Sequence, residues 1–171
     1  MEIFMKHFIR AVLVLVFLIL QSTFCQFIKI WDIMPNLVLA YIISLALTSD
    51  DIMYAGGFGF AAGLLWDITW GRVFGVRTLL FMYIAILAYR AGEYVYRKNI
   101  SVCVIFTLVG AVITESIFFA ANFILTHNAS FWQSFFRTIV PSAAYTAAFQ
   151  LVIYNLCLKI SKMGKERSSS V

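Results

Sequence analysis

The chain has 171 residues, of which 63% are hydrophobic, 17% aromatic and only 12% charged, with a formal net charge of +5. Soluble globular proteins carry about 25% charged residues, so this composition excludes an ordinary soluble enzyme and is typical of an integral membrane protein. The lysines and arginines are scattered at the ends of apolar runs and form no continuous basic face, which argues against a nucleic-acid partner. We therefore expect a single domain that is embedded in the lipid bilayer.

Six apolar segments, taken in chain order, predict an all-α polytopic membrane protein with six transmembrane helices. They cover about Ala11–Ile28, Leu37–Leu47, Ile52–Trp66, Val76–Tyr89, Ile100–Leu125 and Phe135–Leu158. The second segment would span only about 16 Å at 1.5 Å per residue, against a hydrocarbon core of about 30 Å, so we predict a short or re-entrant helix. It is expected to form a compact hairpin with the third, after "TSDD" supplies a helix N-cap. Residues 1–161 would be one six-helix domain, and residues 162–171 a short polar cytoplasmic tail.

The basic residues predict the orientation, because cytoplasmic loops of membrane proteins are enriched in lysine and arginine. Six spans place both termini on one side. If that side is the cytoplasm, the inner segments carry Lys6, Arg10, Arg90, Arg97, Lys98, Lys159, Lys162, Lys165 and Arg167, and the outer ones Lys29, Arg72, Arg77 and Arg137. The excess on the inner side favours cytoplasmic termini.

Glu115 is the residue in the apolar segments with the strongest claim to a special role. An ionisable group near the middle of a span costs at least ~2.5 kcal/mol unless it is paired or protonated, so its side chain should face protein or water. Asn122 lies seven positions on and shares its helix face. We expect this face to meet a polar row on the sixth span, formed by Ser142, Thr146 and Gln150.

Two interpretations of Glu115 remain open on the sequence. It is either a proton or cation site, or an interhelical hydrogen-bonding residue, and we favour the second. Gln150 is its expected neutral partner. Arg77 or Arg137 would pair with it only if either side chain reached inward from the outer interface.

Glycines dominate the stretch "YAGGFGFAAGLLWDITWGRVFGVRTLL" from Tyr54 to Leu80. It lacks the GxxxxGK[ST] and GxGxxG patterns of phosphate loops, and no strand precedes it. It does contain small residues at four-residue intervals: Ala55, Gly59 and Gly63, then Gly71 and Gly75. Such rows allow helix backbones to approach closely in lipid, so the stretch predicts a helix-contact surface.

Asp67 ends the predicted third helix and offers one carboxylate without a nearby His, Cys or second acid, which makes a poor metal site. We expect it to hold the outer turn through an ion pair with Arg72 or Arg77. Enzyme motifs such as GxSxG and HExxH do not occur, and the three cysteines show no CxxC spacing. No catalytic activity, metal or cofactor is therefore expected.

The order of these features resembles the MreD family of bacterial rod shape-determining membrane proteins. The pair Pro35–Asn36 opens the short second helix. The family pattern G-F-x-x-G-L-x-x-D-x-x-x-G-x-x-x-G-x-x-x-L is then matched by Gly59, Phe60, Gly63, Leu64, Asp67, Gly71, Gly75 and Leu79.

This resemblance implies a non-enzymatic component of the cell-elongation machinery in the bacterial plasma membrane. MreC would be its direct partner, with MreB, RodA and penicillin-binding peptidoglycan synthases linked through it. The expected contact surface is Gly59, Gly63, Asp67, Gly71 and Gly75.

The resemblance also implies a fold akin to the substrate-binding subunits of energy-coupling-factor vitamin transporters, which supplies an alternative function. Those subunits often carry small-residue AxxxA motifs on the first helix. The bulky "AVLVLVFLIL" here favours the scaffold over the transporter subunit.

Overall fold

The computed structural model describes residues 2–27, 33–49, 51–71, 74–94, 100–126 and 135–166. Side chains are described within 7–23, 33–49, 51–71, 74–94, 100–120 and 137–159. The helices are α1 (Glu2–Phe27), α2 (Leu37–Thr48), α3 (Ile52–Trp70), α4 (Val76–Tyr94), α5 (Ile100–Thr126) and α6 (Val140–Glu166). A π-helical turn, Phe135–Ile139, leads into α6. The described residues thus confirm the all-α class and the number of helices.

Helix α2 is the centre of the bundle, although it is the shortest helix. Every residue from Leu37 to Leu47 is buried. Helices α6, α4, α1, α3 and α5 all pack around it. An apolar helix that is covered on all sides needs no amphipathic stripe, which explains why "LVLAYIISLAL" is apolar all round apart from Ser44.

The closest helix pair is α3 with α4. Helices α2 and α3, which were predicted to form a compact hairpin, are in contact, but α3 packs more extensively against α4, which its glycines face. The N-cap prediction is confirmed, since Asp51 Oδ1 accepts a hydrogen bond from the Met53 N–H at 3.0 Å. Helices α5 and α6 form a second well-packed pair, whereas α1 lies at the edge against α2 and α3.

Beside its apolar core, the bundle buries several polar side chains and exposes many large apolar ones. Fully or almost fully buried polar side chains include Asp67, Arg77, Thr114, Thr146 and Gln150. Large apolar side chains are exposed along α1, α4, α5 and α6, for example Ile19, Leu87, Ile105 and Val152. In water such a surface would be exceptional, whereas in lipid the apolar exterior is solvated by acyl chains.

Length and composition identify two of the described helical segments as able to cross a membrane. They are Ile100–Ala120, with a mean hydropathy of 2.3, and Arg137–Lys159, with a mean hydropathy of 1.2. His7–Thr23 and Leu37–Thr48 are apolar but shorter.

Candidate functional site: the α3–α4 turn and the polar interior

The glycine row of α3 is a contact surface within the chain. A Cβ atom on Gly59 would lie 2.7 Å from the carbonyl oxygen of Phe81, and one on Gly63 would lie 2.5 Å from the Cα of Thr78. Both distances are to the backbone of α4, which cannot rotate away. Gly59 and Gly63 therefore allow α3 and α4 to pack backbone against backbone. The glycine face that was predicted to bind a partner helix is covered by α4 of the same chain.

Asp67 holds the turn that follows α3. Its Oδ2 accepts hydrogen bonds from the Gly75 N–H at 2.9 Å, the Thr78 N–H at 3.0 Å and the Thr78 hydroxyl at 2.7 Å. The carboxylate thus satisfies N–H groups at the first turn of α4, where the helix dipole also favours a negative charge. The side chain is 2% exposed.

The predicted anchoring role of Asp67 has a different chemical basis from the one expected. Asp67 accepts hydrogen bonds from backbone and hydroxyl donors of the α3–α4 hairpin. The Arg77 guanidinium forms its ion pair with Glu115 and not with Asp67. Arg72, the other expected partner, lies outside the described residues.

The two later glycines shape the same turn. The Gly71 N–H donates to the Asp67 carbonyl oxygen at 3.0 Å, and a Cβ on Gly71 would lie within 3.0 Å of the Asp67 backbone. Gly75 has φ of +90°, a conformation that glycine adopts with little cost and other residues avoid. Gly71 and Gly75 are therefore required by the path of the backbone between the helices.

Glu115 pairs with Arg77 across α4 and α5. The Arg77 Nη2 atom lies 3.8 Å from the Glu115 Oε1 atom, and the side chains are 9% and 24% exposed, respectively. The guanidinium carbon also lies 4.9 Å from the ring centroid of Trp66 and 4.3 Å from that of Phe118. Both distances are within the range of cation–π attraction. The arginine thus joins α3, α4 and α5.

Gln150 is not the partner of Glu115, contrary to the expectation from the sequence. Its Nε2 donates to Ser44 Oγ and to Cys103 Sγ, both at 2.6 Å, and the side chain is 0% exposed. Because α5 and α6 run in opposite directions, Gln150 lies opposite the first turns of α5, whereas Glu115 lies several turns further along. The side chain of Asn122 lies outside those described.

The polar row on α6 stabilises the start of α2. The Thr146 hydroxyl accepts from the Asn36 N–H at 2.9 Å, and the Ser142 hydroxyl donates to the Met34 carbonyl at 3.2 Å. From the other side, Gln21 on α1 donates to the Pro35 carbonyl at 2.7 Å and accepts from the Leu37 N–H at 2.8 Å. A short helix can therefore begin inside the bundle, because side chains of α1 and α6 satisfy its terminal backbone groups.

The described residues offer no cluster of three or more His, Cys, Asp or Glu side chains suited to a metal ion. Cys103 and Cys157 are buried free thiols, and Cys25 lies outside the described side chains. The arrangement of charged and polar groups stabilises helix contacts, through a capped turn, an ion pair and a sheltered helix start.

The comparison with known protein families gives a match over nearly the whole chain. The model of the rod shape-determining protein MreD covers residues 1–160. The chain belongs to the MreD family. Neither the search of curated proteins nor that of solved structures gave a significant match. Family membership makes this a membrane protein with a role in determining rod shape.

Several residues that organise this MreD-family fold were missed by sequence reasoning. Gln21 gave no signal, since a single glutamine late in an apolar helix is common near an interface. Thr78 was missed because its acceptor, Asp67, lies eleven positions earlier, beyond any helical spacing. Arg77 was considered for both Asp67 and Glu115, and only the structure decides between them.

Proposed function

We propose that this protein is a non-enzymatic, multi-pass component of the cell-elongation machinery that binds MreC directly. Through MreC it would act with MreB, RodA and the penicillin-binding synthases to organise lateral peptidoglycan synthesis. The observation that carries the proposal is the family match over residues 1–160, which leaves only the last eleven residues outside it. The described polar groups, which serve helix contacts, support a scaffolding role.

In the proposed topology all six helices cross or enter the plasma membrane and both termini are cytoplasmic. Residues 1–161 form the transmembrane domain, and residues 162–171 form the cytoplasmic end, of which α6 includes the part up to Glu166. Support comes from the apolar exterior of the bundle and from the excess of lysine and arginine at one end. The short α2 reaches the bundle interior and leaves its start sheltered between α1 and α6.

The proposed MreC-binding element is the α3–α4 hairpin, presented through the outward face of α3. Gly59 and Gly63 contribute by holding α3 flat against α4. The opposite face carries Met53, Gly57, Phe60 and Ile68 at helical spacing, and all four are exposed. A Cβ on Gly57 would meet nothing within 4 Å, so a partner helix can approach the backbone there. The turn held by Asp67, Gly71 and Gly75 fixes the outer end of this surface.

Depletion in the source bacterium tests the cellular role. We expect rod-shaped cells to become spherical when the protein is withdrawn and to recover when the wild-type gene is restored. Cells that keep their shape and width under depletion would refute a role in elongation.

Co-purification tests the docking surface. Gly57→Leu places a bulky side chain on the outward face of α3 without entering the hairpin, and we expect it to reduce recovery of MreC about tenfold or more. Ala120→Leu is the matched control, because it places the same leucine side chain at an exposed position on α5. Equal recovery of MreC with both variants would refute the assignment of the partner surface to α3.

The alternative from the sequence is a vitamin-binding subunit of an energy-coupling-factor transporter, and no described feature favours it. The cavity between Arg10, Tyr41 and Cys157 has a volume of about 10 Å³, room for one water. A thermal-shift screen against vitamins tests this alternative, and saturable stabilisation that is lost in Glu115→Gln would support it.

A further inference from the structure

We propose that the end of the bundle where α1 meets α2 and α3 binds a phosphate group, such as that of an anionic lipid headgroup. The site consists of His7, Arg10 and Tyr54. The inference does not rest on the role in cell elongation, since it uses only the local arrangement of these three side chains and the small cavity beside Arg10.

Arg10 supplies the positive charge of the proposed site. Its guanidinium carbon lies 5.3 Å from the ring centroid of Tyr54, and no carboxylate among the described side chains forms an ion pair with it. The Arg10 carbonyl accepts a hydrogen bond from the buried Tyr41 hydroxyl at 3.0 Å, which fixes this turn of α1 against α2. A guanidinium presents several N–H donors in a plane that matches phosphate oxygens.

Two further polar side chains, His7 and Tyr54, lie at the same end of the bundle, and Tyr54 contacts both His7 and Arg10. The rings of His7 and Tyr54 lie 4.3 Å apart. The His7 Nδ1 and Tyr54 Oη atoms are buried. The Tyr54 hydroxyl lies beside the Arg10 guanidinium, and neither atom has another hydrogen-bond partner among the described residues. Buried polar atoms without partners are rare in folded proteins. Both groups can donate a hydrogen bond to an oxygen atom. Together with Arg10 they form a set of donors that lacks an acceptor and would suit an anion.

A small cavity lies beside Arg10. It is lined by Arg10, Leu13, Tyr41, Leu45, Thr48 and Cys157 and has a volume of about 10 Å³. That volume accommodates one water-sized group, which is also the size of a single phosphate oxygen. The phosphate would therefore be seated at the mouth of the cavity.

The surroundings suit a lipid more than a free ion. Phe8, Ile9 and Val12 are exposed on α1 within one turn of Arg10, so an acyl chain can lie against them while the headgroup reaches the guanidinium. Asp51 is the acidic residue nearest in sequence to Tyr54. Its carboxylate caps α3 through the Met53 N–H at 3.0 Å, which engages one of its oxygens.

The test uses the purified full-length protein in nanodiscs of phosphatidylcholine, alone or with phosphatidylglycerol, and measures the increase in unfolding temperature that the anionic lipid causes. We expect Arg10→Gln to lower the apparent affinity for phosphatidylglycerol about tenfold or more, as expected for losing a charge-assisted hydrogen bond. Tyr54→Phe should cause a smaller loss. Arg90→Gln is the matched control, because Arg90 is an exposed arginine at the same end of the bundle, on α4.

A third arm adds inorganic phosphate to protein in phosphatidylcholine. Stabilisation by phosphatidylglycerol alone, dependent on Arg10, identifies a lipid headgroup; stabilisation by inorganic phosphate, with the same dependence, identifies a free phosphate. Direct destabilisation by the substitution affects both lipid mixtures equally and cancels in the difference. Equal loss in Arg10→Gln and Arg90→Gln, or no loss in either, overturns the proposal.

Discussion

Replacing Gly63 by alanine adds one methyl group at the point where α3 and α4 approach most closely. The new Cβ would lie 2.5 Å from the Thr78 Cα and 2.7 Å from the Arg77 carbonyl oxygen. Ordinary contacts begin at 3.4 Å, so the two helices must separate locally by about 0.9 Å. Neither contact atom belongs to a flexible side chain, and the strain therefore falls on the backbone of α4.

The energetic consequence combines three effects. Overpacking of a close-packed contact costs about 1–3 kcal/mol. Alanine in place of glycine within a helix returns roughly 1 kcal/mol. The displacement also pulls Thr78 away from Asp67, and each weakened hydrogen bond costs about 1 kcal/mol. We expect a net loss of about 1–3 kcal/mol in the free energy of unfolding.

Gly57→Ala is the matched control, since it lies in the same helix and its Cβ would meet nothing within 4 Å. Only the gain in helix propensity applies, so this variant should be unchanged or more stable by up to about 1 kcal/mol. Denaturant unfolding in detergent, followed by tryptophan fluorescence, measures both variants, and Trp66 is buried beside the contact. If Gly63→Ala is as stable as Gly57→Ala, the close backbone packing derived for α3 and α4 is wrong.

Substitutions at three further contacts are tested by the same unfolding measurement. Asp67→Ala should lower the stability by about 2 kcal/mol or more, because it leaves two N–H groups and a hydroxyl without their acceptor; a change below about 0.5 kcal/mol would contradict the capping role. Arg77→Gln should cost about 1–3 kcal/mol, less than a fully buried pair because Glu115 is partly exposed. Adding Glu115→Gln should then recover part of the loss, and additive effects would exclude the ion pair. Thr146→Val should cost about 1–2 kcal/mol by leaving the Asn36 N–H without an acceptor, and wild-type stability would show that this helix start is satisfied otherwise.

Helix positions were largely predictable from the sequence because the apolar runs are separated by short polar breaks. The start of α2 at Leu37 and that of α4 at Val76 agree with the predicted limits. The start of α1, at Glu2 against the predicted Ala11, and the end of α4, at Tyr94 against the predicted Tyr89, were missed, since both helices extend beyond their apolar runs into more polar residues. Hydropathy detects the apolar part of a helix but does not detect polar residues that extend the same helix.

The glycines and charged residues of the candidate site were predictable from the sequence, whereas Gln21, Thr78 and the contacts between helices were not. The spacing of Gly59 and Gly63 correctly indicated a helix contact. Spacing alone does not show which helix packs against these glycines. Pairing across helices depends on the rotation and depth of each helix, and these follow from packing around α2. Glu115 was consequently expected beside Gln150, whereas the antiparallel arrangement of α5 and α6 places these residues at different depths.

The buried polar side chains are already engaged in contacts within the bundle, and this limits where a partner can bind. Asp67 and Arg77 hold the α3–α4 hairpin to itself and to α5, while Gln21 and Thr146 hold the start of α2. A partner that competed for these groups would have to unfold the contacts that define the bundle. Recognition is therefore expected on faces that the chain leaves open, and the face of α3 opposite Gly59 is one that the hairpin displays rigidly. Substitutions on the two faces of this helix should therefore separate folding from partner binding. A substitution of Gly63 should affect folding, and a substitution of Gly57 should affect partner binding.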